Sequence, residues 1–245
     1  KYVAIKISSI VFLFTSAITS ILTREMSLSY KDSNKEKLRN LFRKHVPLFY
    51  FIATYFAVFI SLHAETVISI IGGGEYKNAS MVIMVMAFYP AHQTYGQLGG
   101  AVFLATDKTK ALRNVRVCTG LIGLIISLIL IIPISLNGFG MGAVGLATKM
   151  VLIQFISVNI LLLVITRFLK LSFKKFFGHQ LIVIIILFIL TKISIFISSL
   201  ISNQVVVNFF VSGVIYSIFI FVLIFLYPKI IFRTIKSLFS DNSSS

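Results

Sequence analysis

Long apolar runs separated by short polar turns dominate the chain and predict a bundle of membrane-spanning helices. Each run reaches about 20 residues, the length at which a helix crosses the hydrocarbon core of a bilayer. The turns carry glycine, asparagine or clustered cations, which favour water over lipid. We therefore predict an all-α, polytopic membrane helix bundle with seven spans at 3–23, 47–71, 78–105, 115–135, 141–166, 180–200 and 205–227.

The longest hydrophilic stretch, residues 24–44, predicts a separate surface helix. Ser33 and Glu36 fit a capping box, and Leu38 and Phe42 follow at helical spacing. We expect an amphipathic helix at about 33–45 that lies on the membrane surface and is followed by Pro47.

Composition supports a membrane protein, because 58% of the residues are hydrophobic and only 12% are charged. A soluble domain of this length could not bury so much apolar surface. The single cysteine, Cys118, excludes internal disulfides and thiolate metal sites. Since the chain begins at Lys1 and its first run lacks a cleavage signal, we expect a fragment of a longer protein and no signal peptide.

The net charge of +16 is explained by cations in the turns on one side of the predicted membrane bundle. We therefore predict no nucleic-acid partner. One alternating set of turns carries almost all the cations, and the other set carries only Lys77, plus Lys1 at the free end. Cations are enriched in cytoplasmic loops, so the first set is predicted to face the cytoplasm, near anionic membrane lipids. The cations of this set are Arg24, Lys31, Lys35, Lys37, Arg39, Arg43, Lys44, Lys108, Lys110, Arg113, Arg116, Arg167, Lys170, Lys174, Lys175, Lys229, Arg233 and Lys236.

Two short motifs have the spacing of known cofactor and metal sites. Residues 140–145 (GMGAVG) match a dinucleotide fingerprint, but a membrane span precedes them and no acid follows about 20 residues later. His63 and Glu65 have the H-x-E spacing of zinc deaminases without the partner cysteines. We therefore expect no cofactor, no metal and no enzymatic activity.

Polar side chains inside the apolar runs are the candidate substrate contacts. Lys192 lies deep in the sixth span and Lys149 less deep in the fifth, and ionisable groups at such depth usually face a bundle interior or water. Gln93 and Gln97 share a face of the third span with small residues, and His92 lies beside this face. Helix packing and substrate contact are both open for this face. For Lys6, snorkelling to the surface and lining a polar cavity are both open. Carboxylates are scarce near the spans, which favours an anionic substrate.

Three segments resemble motifs of the bacterial polysaccharide flippases. Residues 70–79 (IIGGGEYKNA) resemble the fG-x-x-Y-x-x-A segment of that family, and residues 103–110 (FLATDKTK) resemble its l-a-x-x-k-x-k segment. Residues 140–147 (GMGAVGLA) are similar to its G-x-x-G-a-x-x-a helix entry, and the order and spacing of the three agree.

The resemblance implies the multidrug/oligosaccharidyl-lipid/polysaccharide superfamily, whose members have two six-helix lobes around a central cavity. It implies that residues 1–179 are most of the second lobe, residues 180–228 are two additional helices, and residues 229–245 are a cytoplasmic tail. The missing first lobe is then a partner from the same protein. The implied activity is alternating-access transport of undecaprenyl-diphosphate-linked oligosaccharide (an O-antigen, capsule or exopolysaccharide unit) to the outer leaflet of the bacterial inner membrane. Lys6, Lys149 and Lys192 are the cations that could meet the diphosphate.

Three other functions stay open on the sequence, one of which is a non-transporting membrane scaffold. A multidrug or cation antiporter of the same superfamily would require carboxylates inside the lobe, which are nearly absent here. An O-antigen polymerase or ligase would be an enzyme with a long external loop, whereas the predicted external turns are only a few residues long.

Overall fold

The computed structural model describes residues 19–72 and 79–226, which are helical almost throughout and contain no strand. Lys6, most of the first predicted span, the turn at 73–78 and the tail at 229–245 lie outside the described residues. The helices are α1 (19–31), α2 (Lys35–Leu62), α3 (Ala64–Gly72), α4 (Ser80–Met86), α5 (Phe88–Ala105), α6 (Thr109–Ile131), α7 (Gly142–Phe168), α8 (Phe173–Ile201) and α9 (Val205–Leu226).

Five of these helices, α2, α6, α7, α8 and α9, are long and apolar enough to cross a membrane. Their number indicates a multi-pass membrane protein and confirms the predicted all-α membrane bundle. Helices α6 to α9 lie at the last four predicted spans, but α6 begins six residues and α8 seven residues before the predicted start.

Helix α2 joins two elements that the sequence analysis predicts as separate. The expected surface helix at about 33–45 and the first part of the second span form one helix through Pro47, whereas the rest of that span is the separate helix α3 after His63. Asn34 caps its start by accepting a 2.8 Å hydrogen bond from the Lys37 backbone N–H. Phe42 and Tyr50, on either side of the proline, are completely buried, so tertiary packing holds both halves in one helix despite the lost backbone donor.

The third predicted span is divided into α4 and α5 at Ala87, and the break does not fall at Pro90. Pro90 is the third residue of α5. In the first turn of a helix no backbone N–H has an intrahelical partner, so the proline costs no hydrogen bond there.

The basic loop predicted at 167–179 is much shorter in the structure. Helix α7 continues to Phe168 and α8 begins at Phe173 after the N-cap residue Ser172. Most of the predicted loop therefore forms the first two turns of α8.

Helix α2 forms the centre of the bundle, where it packs against both α5 and α8. Helix α5 packs in turn against α7, α7 against α6, and α8 against α9. The Phe42 and Phe176 rings, 5.5 Å apart between centroids, join α2 to α8 in the core. Helix α6 lies at the edge, and apolar side chains such as Leu121, Leu124 and Leu128 remain exposed along it.

Contacts between distant turns define two ends of the bundle. At one end, Arg39 donates a 2.9 Å hydrogen bond from Nε to the Leu169 carbonyl, and the Lys108 ammonium lies 4.2 Å from the centroid of the Phe168 ring. We call this the basic end, because three cation-bearing turns, α1–α2, α5–α6 and α7–α8, meet there. At the opposite end, Ser212 Oγ of α9 lies 2.8 Å from His63 Nε2. Of the cations that the sequence assigns to one set of turns, those in the α1–α2, α5–α6 and α7–α8 turns thus gather at one end.

Candidate functional site

Gln93 of α5 makes a hydrogen bond across the helix interface. Gln154 Nε2 of α7 donates to Gln93 Oε1. Gly96 permits this approach, because a Cβ atom there would lie 3.0 Å from Gln154 Nε2 and 3.2 Å from Val158 Cγ2. The small and polar residues of α5 therefore serve helix packing at these positions. The predicted substrate contact of Gln93 stays a prediction.

Gln97 lies one turn further along α5 and is partly buried. Its Oε1 atom is buried and has no hydrogen-bond partner within residues 19–72 and 79–226. A buried amide oxygen without a partner is costly, so this atom is available to a polar ligand.

The two predicted lysines within the described residues have different surroundings. Lys149 of α7 is half-buried, and its Cε lies 3.3 Å from where a Cβ of Gly123 in α6 would stand. Lys192 of α8 is exposed, and its ammonium lies 5.7 Å from the centroid of the Phe188 ring. Lys149 thus packs along α6, whereas Lys192 lies on the outer surface of α8.

A group of polar side chains is buried where α2, α5 and α8 meet, and we call it the polar cluster. The ring centroid of Tyr50 lies 4.7 Å from that of Tyr95, 6.1 Å from that of His92 and 6.2 Å from that of His179. Thr54 follows Tyr50 by one helical turn, and all five side chains are buried. The cluster lies about 9 Å along α2 from Lys44 and about 6 Å along α8 from Lys175, so it is buried inside the bundle towards its basic end.

Each member of the polar cluster has an atom without a hydrogen-bond partner in the described part of the chain. These atoms are Tyr50 Oη, Thr54 Oγ1, His92 Nδ1, Tyr95 Oη and His179 Nδ1. Burying one such group without a partner costs about 1–3 kcal/mol. Tyr50 and Thr54 lie near enough to interact with each other, and the cluster as a whole favours binding of hydrogen-bonding groups. Hydroxyl and imidazole groups can donate and accept, which suits neutral polar ligands such as alcohols and water.

A second polar contact closes the cluster towards α7. Gln180 Nε2 of α8 donates to Asn159 Oδ1 of α7 at 3.1 Å, and Asn159 also donates to the Phe155 carbonyl at 2.9 Å. The Phe155 ring then packs edge-on to His92, with centroids 5.0 Å apart. Helices α2 and α7 therefore both contact His92 of α5, and α8 is joined to the same helices through Tyr50 and Asn159.

No family model, curated protein or solved structure matches this chain. Within residues 19–72 and 79–226, no group of three histidine, cysteine or acidic side chains is placed to hold a metal ion. His63, considered above for zinc chemistry, instead contacts Ser212 of α9 and the Phe59 carbonyl at 3.0 Å.

The sequence analysis places His92 beside the polar face of the third span but misses the other members of the polar cluster. His179 falls in the predicted basic loop, and Tyr50 falls at the predicted start of the second span. The serine at position 172, a favoured helix N-cap residue, is the signal that could have extended α8 back to Phe173. His179 then lies nearly two turns inside a helix and on its buried side.

Proposed function

We propose that the chain is the second lobe, with two additional helices, of a transporter that flips undecaprenyl-diphosphate-linked oligosaccharide across the bacterial inner membrane. The polar cluster carries the proposal. It places neutral donors and acceptors, including two tyrosines, inside an apolar helix bundle. Such groups suit sugar hydroxyls, which need hydrogen bonds to leave water, and aromatic rings suit the apolar faces of sugars.

The balance of charge along the helices also supports this substrate. Lys149 and Lys192 are cations within the spanning helices, whereas the one carboxylate in those five helices is Glu36, in the first turn of α2. An ammonium in a low dielectric attracts a diphosphate and offers nothing to a cationic drug. The three motifs quoted from residues 70–147 add the family resemblance.

In this proposal each part of the chain has one role. The polar cluster and Gln97 hydrogen-bond the oligosaccharide, Gln93 positions α5 against α7, and Lys6 and Lys149 meet the diphosphate. Lys192 faces the lipid-exposed side of α8, where it would contact the substrate outside the lobe. The proposal includes seven spans in this chain and a first lobe outside it. Alternating access would open the space between the two lobes to each leaflet in turn.

Removing the cations tests the proposed transport directly. In the full-length protein, we expect Lys6→Gln or Lys149→Gln to lower surface polysaccharide about fivefold or more at equal protein level, because the diphosphate loses an attractive charge. Lys174→Gln, which removes a charge from the exposed first turn of α8, is the matched control and should export normally. Surface polysaccharide is measured with a lectin in cells that lack their own copy of the gene.

The same variants separate the alternatives. Normal export by Lys6→Gln, Lys149→Gln and Lys192→Gln alike would contradict the cationic contact to the substrate. Reduced efflux of a cationic dye, with polysaccharide unchanged, would support the antiporter instead.

The proposed orientation predicts which end of the bundle reacts from outside the cell. In a Cys118→Ser background, which removes the exposed native thiol, we expect Asn203→Cys at the opposite end to react with a membrane-impermeant thiol reagent in intact cells. Lys110→Cys and Lys174→Cys at the basic end should react only after lysis, because cation-rich turns stay in the cytoplasm. Labelling of Lys110→Cys in intact cells would reverse the orientation.

A further inference from the structure

A cavity lies at the basic end, where the last turn of α5 meets the first turns of α6. Its volume is about 360 Å³, within the range of sites that hold a small ligand or a headgroup. The side chains that line it are Leu104, Thr109, Leu112, Arg113, Arg116 and Val117.

One side of this cavity is strongly positive. Arg113 and Arg116 are one helical turn apart on α6, so their guanidinium groups lie on the same face. Within residues 19–72 and 79–226, the ion pair that forms joins Lys37 to Glu25. In that part of the chain, no carboxylate forms an ion pair with Arg113 or Arg116. Arg116 lies against Gly100 of α5, where a Cβ atom would stand 3.8 Å from Nη2. The Arg116 guanidinium thus lies beside α5, and both arginine side chains remain exposed to a ligand.

The other side of the cavity is apolar and open to the surroundings of the bundle. Leu104 is 59% exposed and Val117 is 56% exposed, and exposed leucines continue along α6 from Leu121 to Leu128. In a membrane protein, such a surface faces acyl chains. The cavity thus joins a cationic pocket to a lipid-facing apolar strip, which matches the shape of an anionic amphiphile and not that of a free anion.

We infer that this cavity binds the phosphate headgroup of an anionic phospholipid, with its acyl chains along the exposed face of α6. Each guanidinium can bind a phosphate through two parallel hydrogen bonds, and basic pockets at the cytoplasmic side of helix bundles attract anionic headgroups. Thr109 opens α6, and its first-turn backbone N–H groups add to the attraction for an anion. The site is separate from the polar cluster and does not depend on the proposed substrate.

Native mass spectrometry of the purified full-length protein tests the site. The probes are phosphatidylglycerol and phosphatidylcholine with identical acyl chains. We expect the parent protein to prefer phosphatidylglycerol, and Arg113→Gln/Arg116→Gln to weaken that binding about tenfold with little change for phosphatidylcholine. Lys110→Gln/Lys174→Gln removes the same charge from the basic end outside the cavity and should change binding less than about twofold.

Three results would overturn the inference. Equal weakening in both double variants would mean diffuse attraction to the basic end. Unchanged binding in Arg113→Gln/Arg116→Gln would mean that the lipid binds elsewhere. Displacement of the lipid by millimolar inorganic phosphate would make this a free-phosphate site. Melting temperatures are compared first, and the single variant Arg116→Gln, expected to weaken binding about threefold, replaces the pair if the pair does not fold.

Discussion

Replacing Gly138 with alanine is expected to destabilise the protein by about 3 kcal/mol, because the turn between α6 and α7 has no space for a side chain. A Cβ atom at this position would stand 2.1 Å from the Ile132 carbonyl oxygen and 2.6 Å from the Ile132 Cβ. The surrounding backbone cannot move freely, since Gly138 N–H donates to the Pro133 carbonyl at 3.1 Å and Gly140 N–H donates to Ile132 at 2.8 Å. The clash therefore has to break at least one of these bonds.

Thermal unfolding in detergent measures this effect, and the chain offers matched controls. Gly120 in α6 and Gly178 in α8 have open space where a Cβ would stand. Alanine at either position should leave the melting temperature unchanged or raise it, because alanine favours helix more than glycine does. A Gly138→Ala protein that melts with the parent would show that the turn rearranges at little cost.

Removing the hydroxyl groups of the polar cluster is expected to separate stability from transport. Tyr50→Phe and Tyr95→Phe should keep or raise the melting temperature, because each deletes a buried hydroxyl that has no partner in the described chain. If those hydroxyls bind the oligosaccharide, surface polysaccharide should fall about tenfold at equal protein level, as expected for the loss of a hydrogen bond in a dry site.

Tyr216 is the control for these two variants, because its buried hydroxyl has a hydrogen-bond partner. This tyrosine is also completely buried, but its hydroxyl donates a 3.2 Å hydrogen bond to the Tyr55 carbonyl. Tyr216→Phe should therefore lose about 1 kcal/mol of stability while transport per folded molecule is unchanged. Full export by both Tyr50→Phe and Tyr95→Phe would exclude the polar cluster from substrate binding and leave it a role in structure alone.

The helices could be predicted where an apolar run also ends at a turn signal. The last helix follows the sequence closely, because its apolar run begins after the polar turn at 202–204. The sequence pattern fails at α2, because a proline reads locally as a helix boundary. The burial of Phe42 and Tyr50 on both sides of Pro47 is a tertiary effect, which no local pattern contains.

The candidate site could be predicted only in part, for a related reason. Helical spacing places Gln93, Gly96 and Gln97 on one face of α5, and the structure keeps them there. Periodicity does not state which helix meets that face, so the pairing of Gln93 with Gln154 could not be derived. The polar cluster is formed by three helices that are distant in sequence. In the sequence its members are isolated polar residues at the edges of apolar runs, so their proximity could not be predicted.

The hydrogen bonds that join α2 to the later helices have a consequence for synthesis of the chain. Arg39 bonds to Leu169, 130 residues later, and Tyr55 bonds to Ser217, 162 residues later. Chains emerge from the ribosome N-terminus first, so α2 enters the membrane long before either partner exists. Until α5 arrives, Tyr50 and Thr54 face lipid or transient neighbours, and α8 with His179 covers Tyr50 only later. The central helix of the bundle is thus made early and completed late, and a nascent chain that stops before α8 leaves one side of these polar groups open to the insertion machinery.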